Sequence, residues 1–349
     1  VYFSPLINQH IHTLILVSGA TGFLGAHMVC QLLQNGKHVR AMRRETSSLK
    51  DFEKIYHTYF NESDSLQNLS WVNADVLDIP SLEEAFIGIN EVYHCAATVS
   101  FLQKDKAMMM KVNEEGTANM VNISLLNQVN KFCHVSSIAA IGREHSNTQV
   151  HENIKWTASK LNSNYALSKY KAEMQAWRGA EEGLQVVIVN PGVILGVCDW
   201  NRGSGKFFDM VWNQMPFYTD GVNGYVDVQD VTRAMFALME QNKFNNRYIL
   251  VSNNMANKDL LHSIANLLNR KPASIKVTRW LAELAWIFSG IKSAFTGKDQ
   301  AITKETARAS LNIFHYSTEK IEQEIDFKFT PIEQTLSYIC KHFLKDQQS

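Results

Sequence analysis

Thr13-Leu14-Ile15-Leu16-Val17-Ser18-Gly19-Ala20-Thr21-Gly22-Phe23-Leu24-Gly25 is the stretch whose reading decides the fold. Residues 13–18 form a short apolar run that suits a buried strand of a parallel sheet. Residues 26–33 then carry apolar side chains at helical spacing and stop at Asn35-Gly36, a helix end. A second strand is expected over 38–42. Strand, glycine turn, helix and strand make one βαβ unit. In that setting Gly19, Gly22 and Gly25 let the backbone approach a pyrophosphate, and the helix N-terminus favours its charge. The spacing is GxxGxxG, not the GxGxxG of the commonest dinucleotide fingerprint. The weight therefore rests on the strand before the loop and the helix after it.

The alternation continues outward. Strands are expected over 69–73, 91–94, 131–136 and 185–189, and helices over 81–86, 106–129 and 165–181. Repeated βα units predict an α/β fold with a Rossmann-type doubly wound parallel sheet. After Pro191-Gly192 the pattern loosens, and helical segments dominate from 259 onward. We expect a nucleotide-binding domain over 1–191 and a smaller, mostly helical substrate domain over 192–349, with some return of the chain to the first.

Lys plus Arg equals Asp plus Glu at 34 each, so charge gives no argument for nucleic acid or for a membrane as partner. The cysteines Cys30, Cys95, Cys133, Cys198 and Cys340 are scattered, which reads as reduced thiols in a cytoplasmic protein. No segment reaches the roughly 20 apolar residues of a membrane span, and the first dozen residues lack the order of a signal peptide. His10, His12, His145 and His151 have no metal-ligand spacing, so no metal is expected. His94 and Cys95 end an apolar strand and read as core packing.

Two further signals bear on chemistry. Tyr165 and Lys169, four apart, lie on one helix face. A neighbouring ammonium favours the phenolate of a tyrosine, making the pair a workable proton donor and acceptor for a carbonyl or alcohol. At the end of the second strand stand Arg40, Arg43 and Arg44, where an acidic residue would bind the ribose of NAD. Arginine suits a 2′-phosphate, which favours NADP; the adjacent Glu45 leaves NAD open.

Taken in order, Gly19 to Gly25, Asp75, His94-Cys95-Ala96-Ala97, Asn113, Ser136-Ser137, Tyr165 to Lys169 and Val189-Asn190-Pro191-Gly192 resemble the extended short-chain dehydrogenase/reductase family. With Tyr225-Val226-Asp227, they look most like its dihydroflavonol-4-reductase-like branch. The likeness is good over 13–231 and loose beyond. It implies a pyrophosphate loop of Gly19, Thr21, Gly22, Phe23, Leu24 and Gly25. It puts Arg44, with Arg43, at the 2′-phosphate, and Asp75 with Val76 at the adenine. Ala96 and Ala97 fall under the ribose and nicotinamide, and Pro191 and Val193 complete the cofactor site. Ser137 matches the catalytic hydroxyl, Tyr165 the acid/base and Lys169 its tuner and ribose ligand. Asn113 matches a structural asparagine. Ser18 stands where threonine is usual. Ile141 replaces an aromatic common in sugar epimerases.

The function expected is an NADP(H)-dependent oxidoreductase acting on a small or medium, fairly apolar carbonyl or alcohol; the alternative is an NAD-dependent nucleotide-sugar epimerase or dehydratase. Only one of Ser136 and Ser137 can face the cofactor, because adjacent strand side chains point opposite ways. Substrate contacts are expected from Phe101, Asn190, Phe207 and Phe208. The helices over 106–129 and 165–181 match those that pair in dimers of the family. A homodimer is expected, with Leu125, Ala172 and Trp177 as contacts. The apolar stretch 280–291 reads as a core or subunit helix, or as a lid or membrane-surface contact.

Overall fold

A computed structural model describes residues 13–59, 66–142, 149–159, 162–296, 299–300 and 302–348; His10, His12 and His145 lie outside them. Seven parallel strands form the main sheet. Their spatial order is Asn246–Leu250, Gln185–Pro191, Lys131–Val135, Glu91–His94, Leu14–Ser18, His38–Arg43 and Leu69–Asn73. The chain runs outward from Leu14–Ser18 in one direction, then returns to its other side at Glu91–His94. At this reversal neighbouring loops leave the sheet in opposite directions, and a crevice opens beyond the carboxyl ends of the strands.

Both faces of the sheet are covered, as a parallel sheet requires. Strand side chains alternate, so one strand feeds two cores. Ile15 and Val17 pack with Val29 and Met235, from the helices Phe23–Gln34 and Val228–Glu240. Leu16 packs with Phe132, Ile188 and Met120 on the side of the helices Gly116–Leu126 and Asn164–Glu181. Ala172 is fully buried there, which removes it as a contact with a second copy; Leu125 and Trp177 are half-buried against the same core.

The helix expected over 106–129 contains a π turn. Lys106–Met110 and Gly116–Leu126 are α-helical and Lys111–Glu115 between them is a π-helix. Such a turn adds one residue to the ladder and is common at functional sites. Beyond residue 192 the helices Gly205–Trp212, Asn257–Leu267 and Ile332–Gln348 surround a core of Phe208, Tyr225 and Phe343. A three-stranded sheet of Asn253–Ala256, Val222–Asp227 and Val193–Leu195 accompanies them. Asn-Asn-Met-Ala has no apolar alternation, so nothing local marks it as a strand; antiparallel pairing with Val222–Asp227 makes it one.

Candidate active site

The glycine loop is shaped by contact with the next crossover. Gly19 has φ +67°, and a Cβ there would stand 2.8 Å from the Ala96 Cα. At Gly25 a Cβ would fall 2.1 Å from the Gly19 carbonyl oxygen. Neither position admits a side chain, and Gly22 N–H closes the turn on Gly19 O at 2.9 Å. The helix after the loop starts at Phe23 with no side-chain cap. Its first-turn N–H groups have no partner within the helix, which is what an anion-binding helix terminus needs.

A buried chain of hydrogen bonds ties this loop to the segment across the crevice. Ala96 N–H donates to Ser18 Oγ at 3.2 Å, and Ser18 Oγ lies 2.7 Å from His94 Nδ1. His94 Nε2 lies 3.0 Å from Thr117 Oγ1, whose own proton goes to the Asn113 carbonyl at 2.6 Å. Since Thr117 has spent its proton, His94 must donate from Nε2 and accept at Nδ1. That arrangement needs a neutral imidazole, and burial pushes the His94 pKa down to about 3. His94 is thus a positioning link as well as core.

Asn113, in the π turn, holds the far wall. Its Nδ2 donates to Thr98 O and to Ser168 Oγ, both at 2.9 Å, and its Oδ1 accepts from Thr98 N at 2.7 Å. Ser168 belongs to the helix Asn164–Glu181, which carries Tyr165 and Lys169. Ser163 caps that helix through the Ala166 N–H at 3.0 Å. Lys169 is buried and Tyr165 is half-buried where it lines the cleft. Burial raises the phenol's pKa, and a hydrogen bond with Ser137 opposes the rise. Lys169 is not among the groups that shift it: its Nζ donates to Val135 O at 2.7 Å. Burial thus acts on the phenol in the opposite direction to the lowering expected from the lysine. Burial pushes the ammonium of Lys169 down to about 8 against the favourable charge of Glu173.

Glu173, fully buried one turn beyond Lys169, went unnoticed in the sequence. Its Oε2 accepts from Ser136 Oγ at 2.5 Å and from Asn190 Nδ2 at 2.8 Å. Its Oε1 accepts from Arg247 Nη1 at 2.9 Å and Trp177 Nε1 at 3.3 Å. Asn190 Nδ2 also donates to Ser137 O at 3.0 Å. Both serines line the cleft, but their hydroxyls are engaged differently: that of Ser136 donates to Glu173, and that of Ser137 accepts from the Ala139 N–H at 3.1 Å.

Most of the residues singled out in the sequence, Cys95, Ser136 and Gly192 among them, line one cleft of about 490 Å³, a volume within the usual range for ligand sites. Gly19, Thr21, Gly22, Phe23, Leu24 and Gly25 contribute the loop; Arg43, Arg44, Asp75 and Val76 follow it. Ala96, Ala97, Ser137, Tyr165, Lys169 and Pro191 complete the set. Ser47, Thr98 and Ile194 line it too and had no sequence signal. Arg43 Nε donates to Asn73 Oδ1 at 3.1 Å, whereas Arg40 turns away and donates to Ala85 O and Ile87 O.

The remaining residues lie elsewhere. Val193 does not line the cleft; it packs toward Tyr225, and its strand neighbour Ile194 takes the cleft side, a parity effect. Phe208 is fully buried between Trp200 and Phe343, so it is core and not a substrate contact. Asn190 is fully buried and committed to Glu173 and Ser137. Phe207 stands edge-on to Tyr225 at 6.5 Å and outside the cleft lining. Phe101 is the exception among the four: its ring meets that of Tyr165 edge-on at 5.8 Å.

The model of the NAD dependent epimerase/dehydratase family matches residues 15–251. A Synechocystis protein named for dihydroflavonol 4-reductase is 28% identical over 330 residues, 92% of this chain and 92% of its own length. Cinnamoyl-CoA reductase 1 of Oryza sativa subsp. japonica is 29% identical over 273 residues, 75% of this chain and 78% of its own. Among solved structures, that of gox2253 superposes with a TM-score of 0.78 at 27% identity, covering 96% of this chain and 99% of the other.

Proposed function

This chain belongs to the NAD dependent epimerase/dehydratase family and is an NAD(P)-dependent oxidoreductase, and from that premise we propose that it is an NADP(H)-dependent carbonyl reductase for a small or medium, fairly apolar substrate. The observation that carries the reading is the meeting of Tyr165, Ser137 and Lys169 in the same cleft as the glycine loop and two arginines. Both relatives quoted above bear the names of reductases, which supports the same direction.

The residues suit the cofactor. Gly19 and Gly25 leave no room for a Cβ, the uncapped helix start offers N–H groups to a pyrophosphate, and Arg43 and Arg44 offer forked donors to a 2′-phosphate. When bound, the nicotinamide supplies the hydride that adds to the carbonyl carbon. Tyr165 gives its proton to the carbonyl oxygen as negative charge builds there. A phenol held above its ordinary pKa is in the acid form, which is the form reduction uses. Ser137 donates a second hydrogen bond to the same oxygen. The charge of Lys169 helps Tyr165 as the phenol loses its proton, and its ammonium binds the ribose. Asn190 and Glu173 hold Ser137 and Lys169 in place.

Apart from Lys169 and the two arginines, the lining has no cationic side chain among the described residues, and Phe101 stands beside Tyr165. An apolar carbonyl fits this better than a sugar diphosphate. The enzyme works as a homodimer joined through its helices 106–126 and 164–181. The test is consumption of NADPH by purified protein with a panel of aromatic and aliphatic aldehydes and ketones, with NADH in parallel. Carbonyl-dependent oxidation of NADPH, lost in Tyr165→Phe, is the expected result. Turnover of nucleotide sugars with no net change in cofactor would overturn it.

A further inference from the structure

The helix Arg279–Thr296 turns its apolar stripe outward. Trp280, Leu284, Ile287 and Phe288 share one face by their spacing and are 63%, 41%, 40% and 65% exposed. The inner side holds Ala282, which is buried, with Leu281, Ala285 and Trp286 half-buried beside it. Glu283 accepts from Trp286 Nε1 and from Arg308 Nε, both at 2.7 Å, and Gln300 Nε2 donates to Trp286 O at 2.8 Å. A surface helix normally keeps its large apolar side chains for the core and a polar face for solvent; this one presents four large apolar side chains outward.

Further apolar side chains are exposed on the segment just before the helix and on its strand partner. The short strand Ile275–Lys276 pairs with Phe217–Tyr218 so that Ile275 lies opposite Phe217, and both are exposed, as is Met215. Scattered apolar residues on a surface are ordinary, but four large ones in a stripe on one helix mark an interaction face.

Charge selects the occupant. Residues 270–292 contain Arg270, Lys271, Lys276, Arg279 and Lys292 against Glu283 alone, in a chain balanced at 34 to 34. Glu283 is already paired with Arg308, and Lys276 with Asp220. Lys271 and Arg279 are exposed. A second copy would bring the same basic excess to the contact. No helix among the described residues is long and apolar enough to cross a membrane. An outward stripe of Trp, Leu, Ile and Phe with basic residues around it is the pattern of a helix lying in a lipid interface. We propose that this face seats on an anionic lipid bilayer, with Trp280 and Phe288 inserted and Lys271 and Arg279 at the headgroups.

The seat is mechanically close to the cleft. Arg308 joins this helix to Lys304–Ala309, whose Glu305 accepts from Asn164 Nδ2 at 2.6 Å. Asn164 is the first residue of the helix that carries Tyr165.

The test needs no activity, so it stands apart from the reductase reading. The whole protein is sedimented with vesicles of phosphatidylcholine alone and of phosphatidylcholine mixed with phosphatidylglycerol. The expected result is binding to the mixed vesicles about tenfold or more tighter, weakened by added salt. Trp280→Ser with Phe288→Ser should weaken it at least about tenfold, given the apolar area removed, and the charge reversal Lys271→Glu with Arg279→Glu should abolish the preference for the anionic lipid. Thermal midpoints within error of wild type show that the variants are folded, and the charge-reversal pair serves if the aromatic pair is not. Wild type that stays in solution at low salt with mixed vesicles overturns the proposal. So does self-association, seen by light scattering without vesicles, that the Trp280 and Phe288 changes abolish while vesicle binding is absent.

Discussion

Replacing Glu173 by glutamine exchanges one carboxylate oxygen for an NH₂ group, and every partner around it is a donor. Arg247 and Trp177 can only donate. Asn190 is held as a donor, because the same amide nitrogen also bonds the Ser137 carbonyl. Ser136 alone can rotate to accept. Whichever way the new amide turns, donor meets donor, at Asn190 or at Arg247 and Trp177. Arg247 also loses the counter-charge of a pair whose carboxylate is fully buried. Breaking such a pair costs about 3–5 kcal/mol, so we predict that Glu173→Gln is destabilised almost as much as Glu173→Ala. Urea unfolding at neutral pH reads this as a lower midpoint at unchanged slope. A kinetic consequence accompanies it. Glu173 is the main charge that raises the Lys169 pKa toward its ordinary value. The alkaline limb of the turnover profile should therefore move to lower pH in Glu173→Gln. A glutamine variant within about 1 kcal/mol of wild type, with an unmoved alkaline limb, would refute the reasoning.

Three further outcomes are expected. Arg44→Ala should weaken NADPH by about 1.5–3 kcal/mol, the range of a hydrogen bond to a charged group, and leave NADH nearly unchanged; titration of both cofactors checks it, and equal wild-type affinity for the two would contradict it. Tyr165→Phe should lower turnover about 10²–10⁴-fold at nearly constant cofactor affinity, with Ser137→Ala less damaging, as steady-state kinetics on an established substrate would show. The cofactor-free protein should gain stability as pH rises from about 8 toward 10.5, because the unfolded state binds the Lys169 proton over that window and the folded state does not. The gain from this group is on the order of 3 kcal/mol, and Lys169→Met should flatten that rise in denaturation curves taken at each pH.

What could be read in the chain was what short spacing carries. The glycine loop announces itself because the tight turn and the close approach to Ala96 both demand glycine. Tyr165 and Lys169 do so because one helical turn sets their neighbourhood. What could not be read depends on burial and on distant partners. Phe208 and Asn190 resemble pocket residues until packing encloses them. Val193 and Ile194 differ only in which side of a short strand they occupy. Glu173 looks like any helix glutamate, since Arg247, the residue that makes its burial tolerable, lies 74 positions away. The direction of the Tyr165 shift also depended on burial, which spacing does not report.

The strand Asn246–Leu250 has a consequence for how the chain matures during synthesis. It closes the sheet against Gln185–Pro191, and it brings Arg247 to Glu173. Until the ribosome has released this strand, Gln185–Pro191 is a bare apolar edge, the kind that recruits other strands. Over the same interval the helix of Tyr165 and Lys169 carries a carboxylate, Glu173, with no guanidinium to meet it. A nascent chain halted before residue 246 should therefore be protease-sensitive and prone to aggregate, even though it already contains the glycine loop, Ser137, Tyr165 and Lys169. Resistance of such a halted chain to limited proteolysis would show that the helix settles without its partner. The last strand to join the sheet thus acts as the step that commits an almost complete candidate site.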